Sequence, residues 1–132
     1  MIGLDTNVLI RVLMDDGDPQ VTVARAYFMR HCSAENPAFV SLVVLAETVW
    51  VLESRYRLTK QEILSVLQQL LSAPHFLLAE SDVVRAAVAV YAKNSLDFSD
   101  ALIVALNRRA GCSATATFDR KAARLDGFAL LR

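Results

Sequence analysis

Short apolar runs alternate with helical segments along this chain, and the runs lack the in-and-out alternation of a half-solvated strand. Met1–Leu4, Ala38–Ser41, His75–Ala79 and Ser113–Thr117 read as buried strands, and Phe128–Leu131 reads as an edge strand. The segments between them carry helix signals. Asn7–Met14 is helical in character. Asp18 followed by Pro19 starts a helix that reaches about His31, with the aspartate as cap and the proline in the first turn. Leu42, Leu45, Val49, Leu52 and Tyr56 form one apolar stripe along a helix over 42–56. Thr59-Lys60-Gln61-Glu62 is a capping box, and its helix stops near Ser72, before Pro74. Two more helices open near Ser81 and Phe98; the second ends at Arg109-Ala110 with Gly111 as its cap. Short continuous strands separated by helices form a parallel sheet covered on both faces. The expected class is α/β, a three-layer α/β/α arrangement with a central, mainly parallel sheet of four or five short strands.

At 132 residues the chain fits one domain, 1–132, and its 55% hydrophobic content supplies ample core. A formal net charge of zero excludes a strongly basic nucleic-acid binder on bulk charge. The charges are split unevenly, however. Residues 1–80 carry nine acids and six bases, whereas residues 81–132 carry five acids and eight bases. Arg108, Arg109, Arg120, Lys121 and Arg124 belong to the basic half, and with Arg11 they are the candidates for contacts to a phosphate backbone. An ordinary solvated surface is the competing reading for each. Cys32 and Cys112 lack metal-knuckle or disulfide spacing and read as reduced, partly buried thiols. His31 and His75 read as structural or exposed, and Trp50 as core or interface, with stacking on RNA bases as its less favoured role. No leader peptide is expected, because Asp5 interrupts the first apolar run. The longest uncharged stretch, Ile63–Ala79, is too polar for a membrane span. A soluble cytoplasmic protein is expected.

Four acids stand where α/β folds collect ligands, at the carboxyl ends of strands. Asp5 and Asp119 follow predicted strands, and Glu47 and Asp100 fall in the early turns of predicted helices. Their apolar sequence neighbours make buried carboxylates the expectation, and such groups are costly unless paired, hydrogen-bonded or metal-bound. A hard divalent cation with oxygen ligands would compensate the crowding and would support phosphodiester hydrolysis. Each acid also has a plainer reading. Asp97 and Asp100 are spaced as N-cap and N3 of one helix, Asp119 can cap the short helix 120–124, and Glu47 can pair with an arginine such as Arg11.

Leu4-Asp5-Thr6-Asn7, Glu47, Asp97-Phe98-Ser99-Asp100-Ala101-Leu102-Ile103 and Thr117-Phe118-Asp119-Arg120 together resemble, in order and spacing, the motifs of the PIN domain family. Within it, the compact size looks most like VapC-type toxins of toxin–antitoxin pairs. The resemblance implies a PIN-like fold and a Mg²⁺- or Mn²⁺-dependent ribonuclease. It assigns Asp5, Glu47, Asp100 and Asp119 as the metal-binding, catalytic quartet. Thr6, Asn7 and Thr117 take supporting roles, the two threonines orienting carboxylates, and Asp97 could reach the metal through water. It also implies a homodimer and a cognate antitoxin lying across the helices 42–56 and 59–72. The alternative is a PIN-fold module that grips RNA or protein without cleaving it. A receiver domain and a haloacid-dehalogenase-type phosphatase fit less well: the first lacks its acidic layout here, and the second has Asn7 where an aspartate is needed.

Overall fold

The structure is a computed structural model that describes all 132 residues. The backbone divides into two compact units, Met1–Ser81 and Asp82–Arg132.

The first unit runs β1 (Ile2–Gly3), α1 (Thr6–Leu13), α2 (Pro19–His31), β2 (Ala38–Val40), α3 (Leu42–Ser54), α4 (Lys60–Ser72) and β3 (Phe76–Leu78). Its three strands form one parallel sheet in the order β1-β2-β3, with Ile2 opposite Ala38 and Ala38 opposite Phe76. Parallel neighbours need a crossover rather than a hairpin. A pair of helices supplies each one here, α1 and α2 for the first and α3 and α4 for the second. Sheet hydrogen bonding extends past the strand ends, as Leu4 N–H donates to the Phe39 carbonyl at 3.1 Å and Ala79 N–H to the Val40 carbonyl at 2.9 Å.

Local signals explain where the helices begin. Asp18 Oδ1 accepts from Gln20 N–H at 2.8 Å, and Pro19 occupies the first turn of α2. Thr59 Oγ1 accepts from Glu62 N–H while Glu62 Oε1 accepts from Thr59 N–H, which closes the capping box at the start of α4. The core of this unit draws on one face of each element: Leu9 and Ile10 from α1, Leu45, Val49 and Leu52 from α3, Ile63, Leu67 and Leu70 from α4.

The second unit contains α5 (Ser81–Lys93, which opens at the boundary), α6 (Phe98–Arg109), β4 (Thr115–Thr117), a single 3₁₀ turn at Ala122–Arg124 and β5 (Phe128–Leu130). Helix α6 ends as its glycine predicts. Gly111 has φ +95°, its N–H donates to the Arg108 carbonyl, and Cys112 N–H donates to the Asn107 carbonyl. That pair of bonds satisfies two carbonyls at the helix end, and the positive φ favours glycine. Strands β4 and β5 pair in parallel as a separate two-stranded sheet, with Thr115 opposite Phe128.

The α/β class with parallel strands is therefore as expected, but the five strands divide three and two between two sheets. Some boundaries shift by one or two residues. The fourth strand starts at Thr115 rather than Ser113, and the short helix expected over 120–124 is one 3₁₀ turn. Cys32 is buried, and that burial pushes its thiol pKa up. Cys112, expected to be partly buried, is exposed, because it follows Gly111 in the turn that ends α6. No helix is long and apolar enough to cross a membrane.

Candidate active site

Asp5 is the N-cap of α1. Its Oδ1 accepts from Val8 N–H at 3.0 Å, which leaves the second carboxylate oxygen outside that bond. Thr6 and Asn7 begin the helix and line a cleft of about 770 Å³ within the first unit. Glu47, Trp50, Arg55 and Tyr56 line the same cleft. Glu47 is the sixth residue of α3, in its second turn, as the start at Leu42 predicts. Arg11, the partner considered for it, is engaged elsewhere. Its guanidinium pairs with Asp16 at 3.0 Å and Asp18 at 3.2 Å and donates to Gln20. Asp16 also accepts from Tyr56 Oη at 2.9 Å and from Asp18 N–H. The hydrogen bonds from Asp18 and Tyr56 hold the Asp16 carboxyl below the usual carboxylate range. As a contact for a phosphate backbone Arg11 is thus largely spoken for, whereas Glu47 has no ion-pair partner.

In the second unit the charges of Asp97 and Asp119 both reach Asp100. Asp97 occupies the N-cap position of α6, yet its carboxylate accepts no capping hydrogen bond, which corrects the plain capping reading for it. Asp100 lies in the first turn of the same helix. Asp119 follows β4, and its Oδ1 accepts from Lys121 N–H at 2.8 Å and Ala122 N–H at 3.3 Å, so it caps the 3₁₀ turn as one of its expected roles required. Partial burial, then the charges of Asp97 and Asp119, push the Asp100 pKa up. No basic side chain pairs with any of the three. Thr117 Oγ1 accepts from Asp119 N–H at 3.0 Å, so it sets the backbone that carries the acid rather than orienting the carboxylate itself.

The expectation of buried acids is corrected. Asp5, Glu47 and Asp119 are exposed and Asp100 is half-buried; Thr48 is the only polar side chain in the buried set. Helical geometry is the reason. On α3 the buried positions Leu45, Val49 and Leu52 share one face, and Glu47 falls on the other. Apolar neighbours in sequence therefore do not imply apolar surroundings. No three Asp, Glu, His or Cys side chains form a ready-made metal cage. Magnesium keeps several of its waters and is commonly held by one or two carboxylates, so pairs of acids are sufficient donors.

The cations sort into two groups. Arg108 pairs with Asp126 at 3.4 Å and donates to its carbonyl, and Arg109 pairs with Asp82. Arg120, Lys121 and Arg124 are exposed, and their side chains are in no ion pair. Lys121 and Arg124 also line a smaller pocket of about 250 Å³ with Lys93 and Asn94. His31 and His75 are exposed, and His31 packs its ring against Tyr27 at 4.4 Å. Trp50, read from sequence as core or interface, is 63% exposed and so is not core.

Parallel strands followed by acids, with further acids early in the succeeding helices, place the chain among α/β folds that carry acidic sites near strand ends. The PIN domain family model matches residues 2–128 and runs through both units. The chain belongs to the PIN domain family. PIN domains are a nuclease-type fold, and the nucleases among them generally use divalent metal ions. No curated protein matches the chain.

The crowding around Asp100 has a consequence for stability. Its folded-state pKa lies above its unfolded value, so its favourable contribution is present at low pH and is lost as pH rises through the folded pKa. Asparagine carries no such penalty. The metal-free Asp100→Asn variant is expected to gain melting temperature relative to wild type as pH rises from the carboxylate range toward neutrality. A difference that stays flat, or that reverses, would contradict the burial and crowding of Asp100.

Proposed function

We propose that the protein is a Mg²⁺- or Mn²⁺-dependent endoribonuclease in which Asp5, Glu47, Asp100 and Asp119 are the metal-binding, catalytic carboxylates. What supports this reading is the family match together with Asp100, whose ionisation is disfavoured by partial burial and by the charges of Asp97 and Asp119 with no basic side chain to offset them. Like charges held together without a cationic side chain are a standing electrostatic cost that a hard cation removes. When bound, a divalent cation supplies an activated water and neutralises charge on the phosphate.

The chain's own residues do the positioning. Asp5 and Asp119 are fixed by the cap bonds they accept from Val8, Lys121 and Ala122, so each presents its carboxylate from a rigid backbone. Thr117 holds the Asp119 turn, and Thr6 and Asn7 border the cleft that contains Glu47. Asp97 acts at one remove, through its charge on Asp100. Arg120, Lys121 and Arg124 are the cations free to meet the RNA backbone. We further propose a VapC-type role in the cytoplasm: a toxin that acts as a homodimer and is silenced by a cognate antitoxin. Of the two helices expected to carry that partner, α3 leaves Val43 68% exposed, whereas α4 leaves no large apolar side chain exposed; on α2, Val23 is 70% exposed and adds to the available apolar surface.

The direct test is cleavage of total RNA by purified protein with Mg²⁺ or Mn²⁺, repeated in EDTA. Cleavage that appears only with the metal is the expected result. RNA binding without cleavage under any divalent condition would identify a non-catalytic module instead.

A further inference from the structure

The cleft of the first unit contains more than Glu47. Val43, Glu47, Trp50 and Ser54 recur at helical spacing along the exposed face of α3, opposite the buried Leu45, Val49 and Leu52. One large aromatic ring therefore stands beside an acid on a surface-facing wall. Arg55 follows at the C-terminal cap of α3, exposed and in no ion pair. The other wall is built differently. Tyr56 Oη donates to Asp16, and Arg11 clamps Asp16 and Asp18, so these groups form a fixed lattice with little bonding capacity left over. The cleft thus combines a rigid side, a free aromatic face, a free guanidinium and a carboxylate within about 770 Å³, a volume typical of ligand clefts.

We propose that this cleft is a nucleotide subsite for single-stranded RNA, with one base stacked on Trp50 and the adjoining phosphate held by Arg55. Unpaired bases stack on aromatic side chains without regard to sequence, and a free guanidinium suits a phosphate better than a guanidinium already paired with carboxylates. Glu47 on the same wall would place the stacked nucleotide next to the proposed metal centre. The inference rests on the ribonuclease reading and specifies which residues seat the substrate.

Trp50 is the only tryptophan in the chain, so its fluorescence reports this cleft and nothing else. The experiment titrates the full-length protein, in EDTA to prevent cleavage, with a short fluorescein-labelled single-stranded RNA. Tryptophan emission and fluorescein anisotropy are followed together. Saturable quenching of Trp50 is expected, with the same affinity that anisotropy gives. Trp50→Ala should weaken binding roughly tenfold, as loss of one stacked base does, and Trp50→Phe should restore most of it. Arg55→Ala should weaken binding and reduce the salt dependence by about one phosphate contact. RNA binding with unchanged Trp50 emission, and with all three variants at wild-type affinity, would overturn the subsite while leaving the nuclease reading intact. No binding by the wild-type protein in EDTA would overturn the subsite, while cleavage with Mg²⁺ or Mn²⁺ would still decide the nuclease reading. Emission that shifts with protein concentration alone, and not with RNA, would assign the cleft to a second copy of the chain and overturn the subsite.

Discussion

Asp5→Asn and Asp100→Asn should each lose RNA cleavage by roughly a hundredfold or more while keeping the fold, since even the outer partners of metal ligands commonly cost ten- to a hundredfold. Asparagine is nearly isosteric with aspartate but is a far weaker ligand for a hard cation. At Asp5 the structural cost is small, because the hydrogen bond accepted from Val8 N–H is one that asparagine accepts equally well at an N-cap. At Asp100 the substitution removes a carboxylate whose ionisation is disfavoured by burial and by two neighbouring aspartates. Neither variant should therefore melt below wild type in the absence of metal. Circular dichroism beside the cleavage assay separates the two effects. Loss of cleavage together with loss of fold would reduce these acids to structural roles. Full activity in either variant would remove that residue from the mechanism.

Phe98→Ala should destabilise the protein by about 3–5 kcal/mol, the cost of emptying a large aromatic site in a packed core. Phe98 is 1% exposed and opens α6 two residues before Asp100. Its ring meets the buried Tyr91 edge-on, with centroids 5.6 Å apart and an interplanar angle of 77°, a favourable aromatic geometry. Domains of this kind have total stabilities of about 5–15 kcal/mol, so the loss would be a large fraction of the whole. Urea unfolding should show a lower midpoint at unchanged slope. A loss below about 1 kcal/mol would mean that the start of α6 is not anchored as described. Activity should fall with it, because the same ring fixes the turn that carries the acid.

The order of helices and short strands was legible because the signals for it are local. The capping box at Thr59, the Asp18-Pro19 start and the Gly111 stop each depend on neighbouring residues only, and each appears in the structure as read. The division of the strands was not legible. Which strand pairs with which depends on contacts between distant segments, and three-residue strands such as Thr115–Thr117 carry no pairing information of their own. Acid positions along the chain were readable, but exposure was not. Glu47 lies among apolar residues in sequence, and only the helical turn takes it to the opposite face from Leu45 and Val49. Asp97 had the spacing of a cap, yet spacing does not fix the rotamer, and its carboxylate makes no cap bond. Arg11 looked like any surface cation until the loop at Asp15–Asp18 folded back on it. Trp50 was named from sequence, but its core reading was favoured too far. Its place between Glu47 and Ser54 on the α3 face opposite Leu45, Val49 and Leu52 signalled exposure, which the apolar composition of α3 concealed.

Calorimetric titration of Mn²⁺ into the wild-type protein, Asp5→Asn and Asp100→Asn tests the proposed metal binding most directly, since the two acids lie far apart in sequence. A single binding event that either substitution alone abolishes is the predicted outcome. Separate events, each removed by only one substitution, or no manganese binding at all, would contradict it.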